Sequence, residues 1–299
     1  MALVALAAGA SAQLYPSAWL RLTDDSNWDR HASWSPDQQS LAFVRDHGSG
    51  MHLVVIDADG SNRRELTDGT DFLFHPSWFP DGDRVVVDVQ NKGLVVIDLA
   101  TGDQEFLFEP GPSPQTPALS PDGLRLAYGA TTPEHSSNLY VSDLDGGNAV
   151  RLTNHENQDN NPTWAPDGSA IAFESQRESP PGVFVINVDG SGLRRITPDT
   201  MQGLQPSWSP DGTRIAFAGY ESGNENLYVV NVDGSGLRRL TLSERSVGPE
   251  FPAWSPDGRS LAFHAFGHGN ADIFLLDMAV AMSAVLDESW GSLKSETAP

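Results

Sequence analysis

Histidine, amide and carboxylate side chains recur at one spacing in this chain. Three positions ahead of a repeated tryptophan, or of Leu119 where the tryptophan is replaced, stand His31, His75, Thr116, Asn161, Gln205 and Phe251. One position further out stand Arg30, Phe74, Gln115, Asn160, Leu204 and Glu250. Imidazoles beside amides and a carboxylate can hold a divalent cation. Neutral imidazole suits Zn or Mn, and oxygen ligands suit Ca. The same groups can line a polar pocket for a small molecule or a protein segment. Neither chemistry is reachable by neighbours in sequence, so the fold must bring these stretches around one opening.

The anchors at 34, 78, 119, 164, 208 and 254 are separated by 44, 41, 45, 44 and 46 residues. A period of this length marks an array of similar units. Each unit opens on a motif such as Pro206-Ser207-Trp208-Ser209-Pro210-Asp211-Gly212, followed by Ile215-Ala216-Phe217. Pro-Asp-Gly is turn chemistry: Pro presets φ, Asp bonds nearby backbone, and Gly takes a positive φ. Apolar runs on both sides make it a hairpin turn. A third strand follows, as in Asn226 to Asn231, then an Asp-Gly turn and a fourth strand, Leu237 to Thr241. Four antiparallel strands cannot bury both faces alone, so neighbouring units must cover each sheet. The repeated tryptophans occupy one place in this pattern and are expected between sheets rather than on a ligand.

The unit resembles the WD-like "PD" repeat of TolB-type six-bladed propellers, over about residues 18 to 278. The resemblance implies an all-β, six-bladed β-propeller. Blades are expected at about 24–67, 68–108, 109–153, 154–197, 198–241 and 242–278, the last completed by 18–23. The match of Leu20-Arg21-Leu22-Thr23 to Arg239-Leu240-Thr241 supports that closure by the N-terminal strand. Only about 17 residues precede the propeller, so the separate N-terminal domain of full TolB is expected to be missing from this chain. In a propeller the first strand of each blade lines the channel, and the residues ahead of each tryptophan gather at one mouth. The loops between second and third strands are expected on the same face. They would add Arg45, Asp46, Asp88, Glu174, Arg177, Glu221, His264 and His268.

The ligand-binding candidates are therefore His31, His75, Gln115, Asn161, Gln205, Glu250 and Trp28. Trp28 lies off the repeat pattern, as a ligand-facing aromatic or a lid. His31, His75 and His264 are the metal candidates. The bland alternative is that these histidines are hydrogen-bonding wall residues. No His-Glu-x-x-His, Gly-x-Ser-x-Gly or phosphate-loop motif occurs.

Composition narrows the partners. There are 40 acidic and 18 basic residues, a formal net charge of −22, and only two lysines, Lys92 and Lys294. Such a surface repels phosphate backbones, so nucleic acid is not an expected partner. Cysteine is absent, which removes disulfides and thiolate metal sites. Residues 1 to 12 are apolar but too short to span a bilayer, and Ala10-Ser11-Ala12 resembles a signal-peptidase site. They read as the remnant of a secretion signal, which implies a periplasmic or secreted protein without a membrane span. Residues 279–299 read as a tail with one short helix and then disorder.

Two functional readings follow, both for a monomer. The first is a binding module that grips an envelope protein segment or a small-molecule ligand at the channel mouth, since the family resemblance implies docking of a lipoprotein partner. The second is a metal-dependent propeller hydrolase of lactones, esters or phosphotriesters, or a lyase, with a divalent Ca, Mn or Zn ion. The resemblance to other six-bladed propellers implies that alternative.

Overall fold

The computed structural model describes residues 19–108, 114–131, 136–221, 223–243, 248–267 and 269–284. They form six four-stranded antiparallel sheets. Blade one comprises Trp28–Trp34, Ser40–Asp46, Met51–Asp57 and Arg64–Glu65. The first strands of blades two to six are Leu73–Trp78, Pro114–Leu119, Asp159–Trp164, Gln202–Trp208 and Pro249–Trp254. Each second strand is buried along most of its length, as in Leu41 to Val44 and Ile215 to Ala218. Its period-two pattern is lost because both faces of the sheet are covered by neighbouring blades. One apolar cluster joins Ala216, Leu227 and Val229 of blade five to Trp254, Leu261 and Phe263 of blade six.

The ring closes as the sequence indicates. The sixth sheet runs Trp19–Arg21, Asn270–Asp277, Ser260–Gly267, Pro249–Trp254, with the N-terminal strand outermost. Trp19 pairs with Leu276 and Arg21 with Phe274. The next residues continue the pattern of a fourth strand. Thr23 Oγ1 accepts from the Ile273 amide at 3.0 Å. Thr67, Thr153, Thr197 and Thr241 accept in the same way from Leu53, Leu139, Val183 and Leu227. A hydroxyl thus satisfies the third strand's amide where the short fourth strand has ended. Arg21 reaches the buried Asp272 at 2.6 Å across the same seam.

The anchors and turns behave as structural parts. Trp164, Trp208 and Trp254 are less than one-tenth exposed. The indoles of Trp34, Trp78 and Trp164 donate to the carbonyls of Ala253, Ser33 and Ala118 in the preceding blade, at 3.2, 3.0 and 2.9 Å. In the turns, Asp211 Oδ1 accepts from the Thr213 amide at 3.0 Å and Gly212 has φ of 72°. Ser209 Oγ donates to the same carboxylate, and these bonds hold the Asp211 pKa at about 2 even though partial burial opposes them. After the last strand a short helix spans Met278–Ala284. The expected signal remnant at 1–12 and residues 285–299 of the tail lie outside the described residues.

Candidate ligand site at the channel mouth

Each first strand carries a bulge at the same place. Pairing with the second strand shifts between Arg30 and Ser33, Phe74 and Ser77, Gln115 and Ala118, Asn160 and Thr163, Leu204 and Ser207, and Glu250 and Ala253. The residue inside each bulge is left-handed: His31, His75, Thr116, Asn161, Gln205 and Phe251 have φ between 47° and 57°. None is glycine, and such a conformation in a bulky residue is uncommon. A bulge re-aims a side chain next to a site. Here it happens six times around one axis. Five of the six residues, together with the small and proline residues that follow them, line a channel cavity of about 190 Å³.

The bulges are tied to one another. The Asn161 amide donates to Thr116 Oγ1 at 3.2 Å, and the Phe251 amide to Gln205 Oε1 at 3.1 Å. The Gln205 amide donates to Glu174 Oε2 at 3.3 Å, and Asn161 Nδ2 donates to the same oxygen at 2.9 Å. Side chains of one blade therefore satisfy the backbone that the next blade's bulge frees from its ladder.

Behind this ring stands another, ten positions after each anchor: Val44, Asp88, Gly129, Glu174, Ala218 and His264. Its three polar members each hold a mouth residue. His75 Nδ1 lies 2.8 Å from Asp88 Oδ1. An ionised carboxylate only accepts, so Nδ1 donates and Nε2 is left as the acceptor. Glu174 holds Asn161 as described. His264 Nε2 lies 3.4 Å from Glu250 Oε2, which leaves His264 Nδ1 buried with no partner among the described residues. The buried His31 Nδ1 is likewise unpartnered.

The histidines cluster. The His31 ring centroid is 4.4 Å from that of His75 and 5.7 Å from that of His264. Phe251 packs against His31 at 4.4 Å and His264 at 5.5 Å. Burial, and then the neighbouring histidines, push the His31 pKa well below the usual imidazole value. Burial lowers His264 too, despite Glu250. These rings are uncharged at neutral pH and present acceptor nitrogens. On the other side of the channel burial raises the Glu174 carboxyl above its ordinary range against its hydrogen bonds. Burial and the repulsion of Glu250 raise Glu225 to about 7. The site thus joins neutral imidazoles on blades one and six to carboxyls on blades four and five that burial holds above their ordinary range.

The family model for the TolB beta propeller domain matches residues 48–205 and 199–291. This chain belongs to the TolB β-propeller family. The "Uncharacterized peptidase YuxL" of Bacillus subtilis is 30% identical over 144 residues, 48% of this chain and 21% of that protein. The "Tol-Pal system protein TolB" of Bordetella pertussis is 30% identical over 154 residues, 48% of this chain and 33% of that protein. The chain thus spans a fifth to a third of the length of these curated relatives. Among solved structures, TolB from Acinetobacter baumannii superposes with a TM-score of 0.63 at 21% identity, covering 86% of this chain and 65% of that one. An oligogalacturonate lyase in complex with manganese gives 0.63 at 17% identity, covering 88% and 94%. At these identities the solved structures establish the fold alone.

In this TolB-type propeller the expected site residues fall at different depths. His31, His75, Asn161 and Gln205 line the cavity. Glu250 stands behind it on His264. Gln115 is exposed on the strand of blade three, where Pro117 and Ala118 face the cavity instead. Trp28 sits on the outer rim, 38% exposed, with its ring 5.9 Å from Phe266 and the Arg30 guanidinium 5.6 Å from its centroid. Arg45, Asp88, Glu174 and His264, expected in loops, are residues of the second strands. Arg45 is not among the residues that line the cavity: it is buried in a two-pronged pair with Asp29 at 2.7 and 2.6 Å. His268 lies outside the described residues. The partnerships of Asp88 and Glu174 with the mouth were not foreseen. Both residues were expected on this face; it is the register across each hairpin, ten residues on from the anchor, that pairs them with His75 and Asn161.

Proposed function

We propose that this TolB-type propeller is an extracytoplasmic binding protein that takes a protein segment or small polar ligand into its channel mouth. The observation that carries the reading is the pair of buried, unpartnered imidazole nitrogens, His31 Nδ1 in the wall of a channel cavity of about 190 Å³ and His264 Nδ1 in the ring behind it. Buried polar atoms normally have partners, and an incoming donor supplies them. The ligand class follows from charge. Neutral imidazole acceptors, the carboxyls of Glu174 and Glu250, and a net charge of −22 favour amide, ammonium or guanidinium groups over anions. The Ala10-Ser11-Ala12 pattern supports the location, and the Tol-Pal name of the Bordetella relative supports an envelope protein as partner.

The test is selection of a random peptide display library on the immobilised protein, then hydrogen exchange with a selected peptide bound. Protection should appear at the strand starts around 28–32, 73–76, 159–162, 202–206 and 249–252. Protection confined to the opposite face, around the Pro-Asp turns, would refute the reading.

A second reading is favoured by the same histidine cluster: a divalent transition ion held by His31, His75 and His264. The donor set fits, since Asp88 orients His75 as outer-shell carboxylates orient metal ligands. In the present geometry the three nitrogens do not all gather within 4.8 Å of one another, so the rings would have to turn inward. Such an ion would supply Lewis-acid chemistry for the hydrolase or lyase alternative. Calorimetric titration with Mn, Zn and Ca separates this from peptide binding.

A further inference from the structure

Three other side chains, none of them in the lining of the channel cavity, gather their ligand atoms more tightly than the channel histidines do. His47 lies in the hairpin loop between the second and third strands of blade one, His52 on the third strand, and Glu65 on the outermost strand. His47 Nε2 is 3.2 Å from Glu65 Oε1, and His52 Nδ1 is 3.8 Å from Glu65 Oε2. The two rings stand 4.7 Å apart at 88°. One ligand atom from each residue falls within 4.8 Å of the others, and among the described residues this is the group of three that does so. His47 and Glu65 are about a third exposed and His52 is more enclosed, so an ion could enter from solvent and complete its shell with water.

We propose that His47, His52 and Glu65 form a divalent transition-metal site of the zinc type on the rim of blade one. Two imidazole nitrogens and one carboxylate are the donors such an ion prefers. Ca and Mg instead require mostly oxygen. The backbone around the site is already fixed. The His47 amide donates to the Gly50 carbonyl at 3.2 Å, and the Gly48 amide to Asp46 Oδ1 at 2.6 Å, which shapes the hairpin that carries His47. Gly50 lies so close to Gly69 that a Cβ on it would fall 1.8 Å from the Gly69 carbonyl oxygen. A Cβ on Gly69, whose φ is +74°, would strike His52 Nε2 at 2.3 Å. Glycines at 50 and 69 thus bring the hairpin loop and the loop after the outer strand into backbone contact under the His52 ring. His52 Nδ1 is 2.7 Å from the Thr67 carbonyl; ligation through Nδ1 takes the tautomer protonated at Nε2, which frees that carbonyl oxygen from its hydrogen bond and leaves it placed as a fourth donor. An ion here would join three of blade one's four strands at the blade's outer edge.

The site is tested on the full chain carrying His31→Ala and His75→Ala, which removes two of the three channel imidazoles. Zinc titrated calorimetrically into this protein should bind at one equivalent. Adding either His47→Ala or Glu65→Gln should weaken binding at least tenfold. Cobalt substituted for zinc should give the visible absorption of a four-coordinate nitrogen and oxygen site, lost in the same variants. Both added substitutions are at exposed positions, and circular dichroism confirms that the blades remain formed. No zinc heat, or a zinc affinity unchanged by both substitutions, would overturn the proposal. Because the background lacks two of the three channel imidazoles and the readout is the change caused by His47→Ala or Glu65→Gln, neither result bears on the channel reading.

Discussion

His75 and Asp88 stand thirteen residues apart in sequence and 2.8 Å apart across one hairpin, with the imidazole Nδ1 donating to the carboxylate. The contact spans a bulge in which His75 is left-handed, with φ of 47°. It fixes which nitrogen the ring shows to the channel. Asp88→Leu keeps the side chain's approximate size and removes that choice, leaving the half-buried imidazole's N–H without its acceptor. A ring no longer held in one orientation must be ordered by the ligand itself, so ligand affinity should fall roughly tenfold, about 1.4 kcal/mol. Titration of a selected ligand checks this. An unchanged affinity would show that the orientation of His75 is irrelevant.

Trp164 tests the separation of scaffold from site. Its ring is 6% exposed, its indole donates to Ala118 in blade three, and the Arg125 guanidinium lies 4.9 Å from its centroid. Trp164→Ala should cost ~3–5 kcal/mol, as truncation of a buried aromatic does. Denaturant unfolding measures the loss. Below the transition the folded variant should bind ligand as the wild type does, and a folded variant that has lost binding would place the tryptophans in the site.

The seam between first and last blades depends on very few residues. A chain beginning at Asp24 would lose the outer strand, the Thr23 bond to Ile273 and the Arg21 partner of buried Asp272. It would expose an unpaired sheet edge. Several kcal/mol are at stake, which at ~2–4 °C per kcal/mol for a chain of this size lowers Tm by ~10 °C or more. Equal melting of truncated and full chains would refute closure by this strand.

Glu225 gives a pH signature. Its folded pKa is about 7, raised from the ordinary 4.5 first by burial and then by Glu250. Between those values the folded state holds a proton that the unfolded chain has released. The stability linked to this group is therefore present below 4.5 and is lost as pH rises through 7. Glu225→Gln removes that loss. It should raise Tm relative to wild type at pH 8 and leave it nearly equal at pH 4. Parallel melting curves across that range would show that Glu225 is not held near neutral.

The fold was legible because its signals are chemical and repeated. Pro-Asp-Gly fixes a hairpin turn, and Leu-Arg-Leu-Thr ahead of the first blade matches the outer strands of later ones, so the closing strand could be placed. The ring of His31, His75, Asn161 and Gln205 was legible from spacing alone. Its mechanism was not. Nothing in the identity of histidine, threonine or phenylalanine announces a positive φ, and the bulge appears only once strand register is known. The ring formed by Asp88, Glu174 and His264 is regular in spacing, but half its positions are Val44, Gly129 and Ala218, so residue type hides the pattern. His47, His52 and Glu65 come from three strands' ends and show no repeat.

The central claim is that the channel mouth binds a ligand through its histidines. The most direct measurement is the dissociation constant of a peptide selected on the wild type, compared with the His31→Ala, His75→Ala double variant. Neither residue belongs to the apolar clusters between blades, so the variant should keep its circular dichroism and its cooperative melting. The account predicts that affinity falls at least tenfold, about 1.4 kcal/mol. Equal affinity in a folded double variant would contradict it.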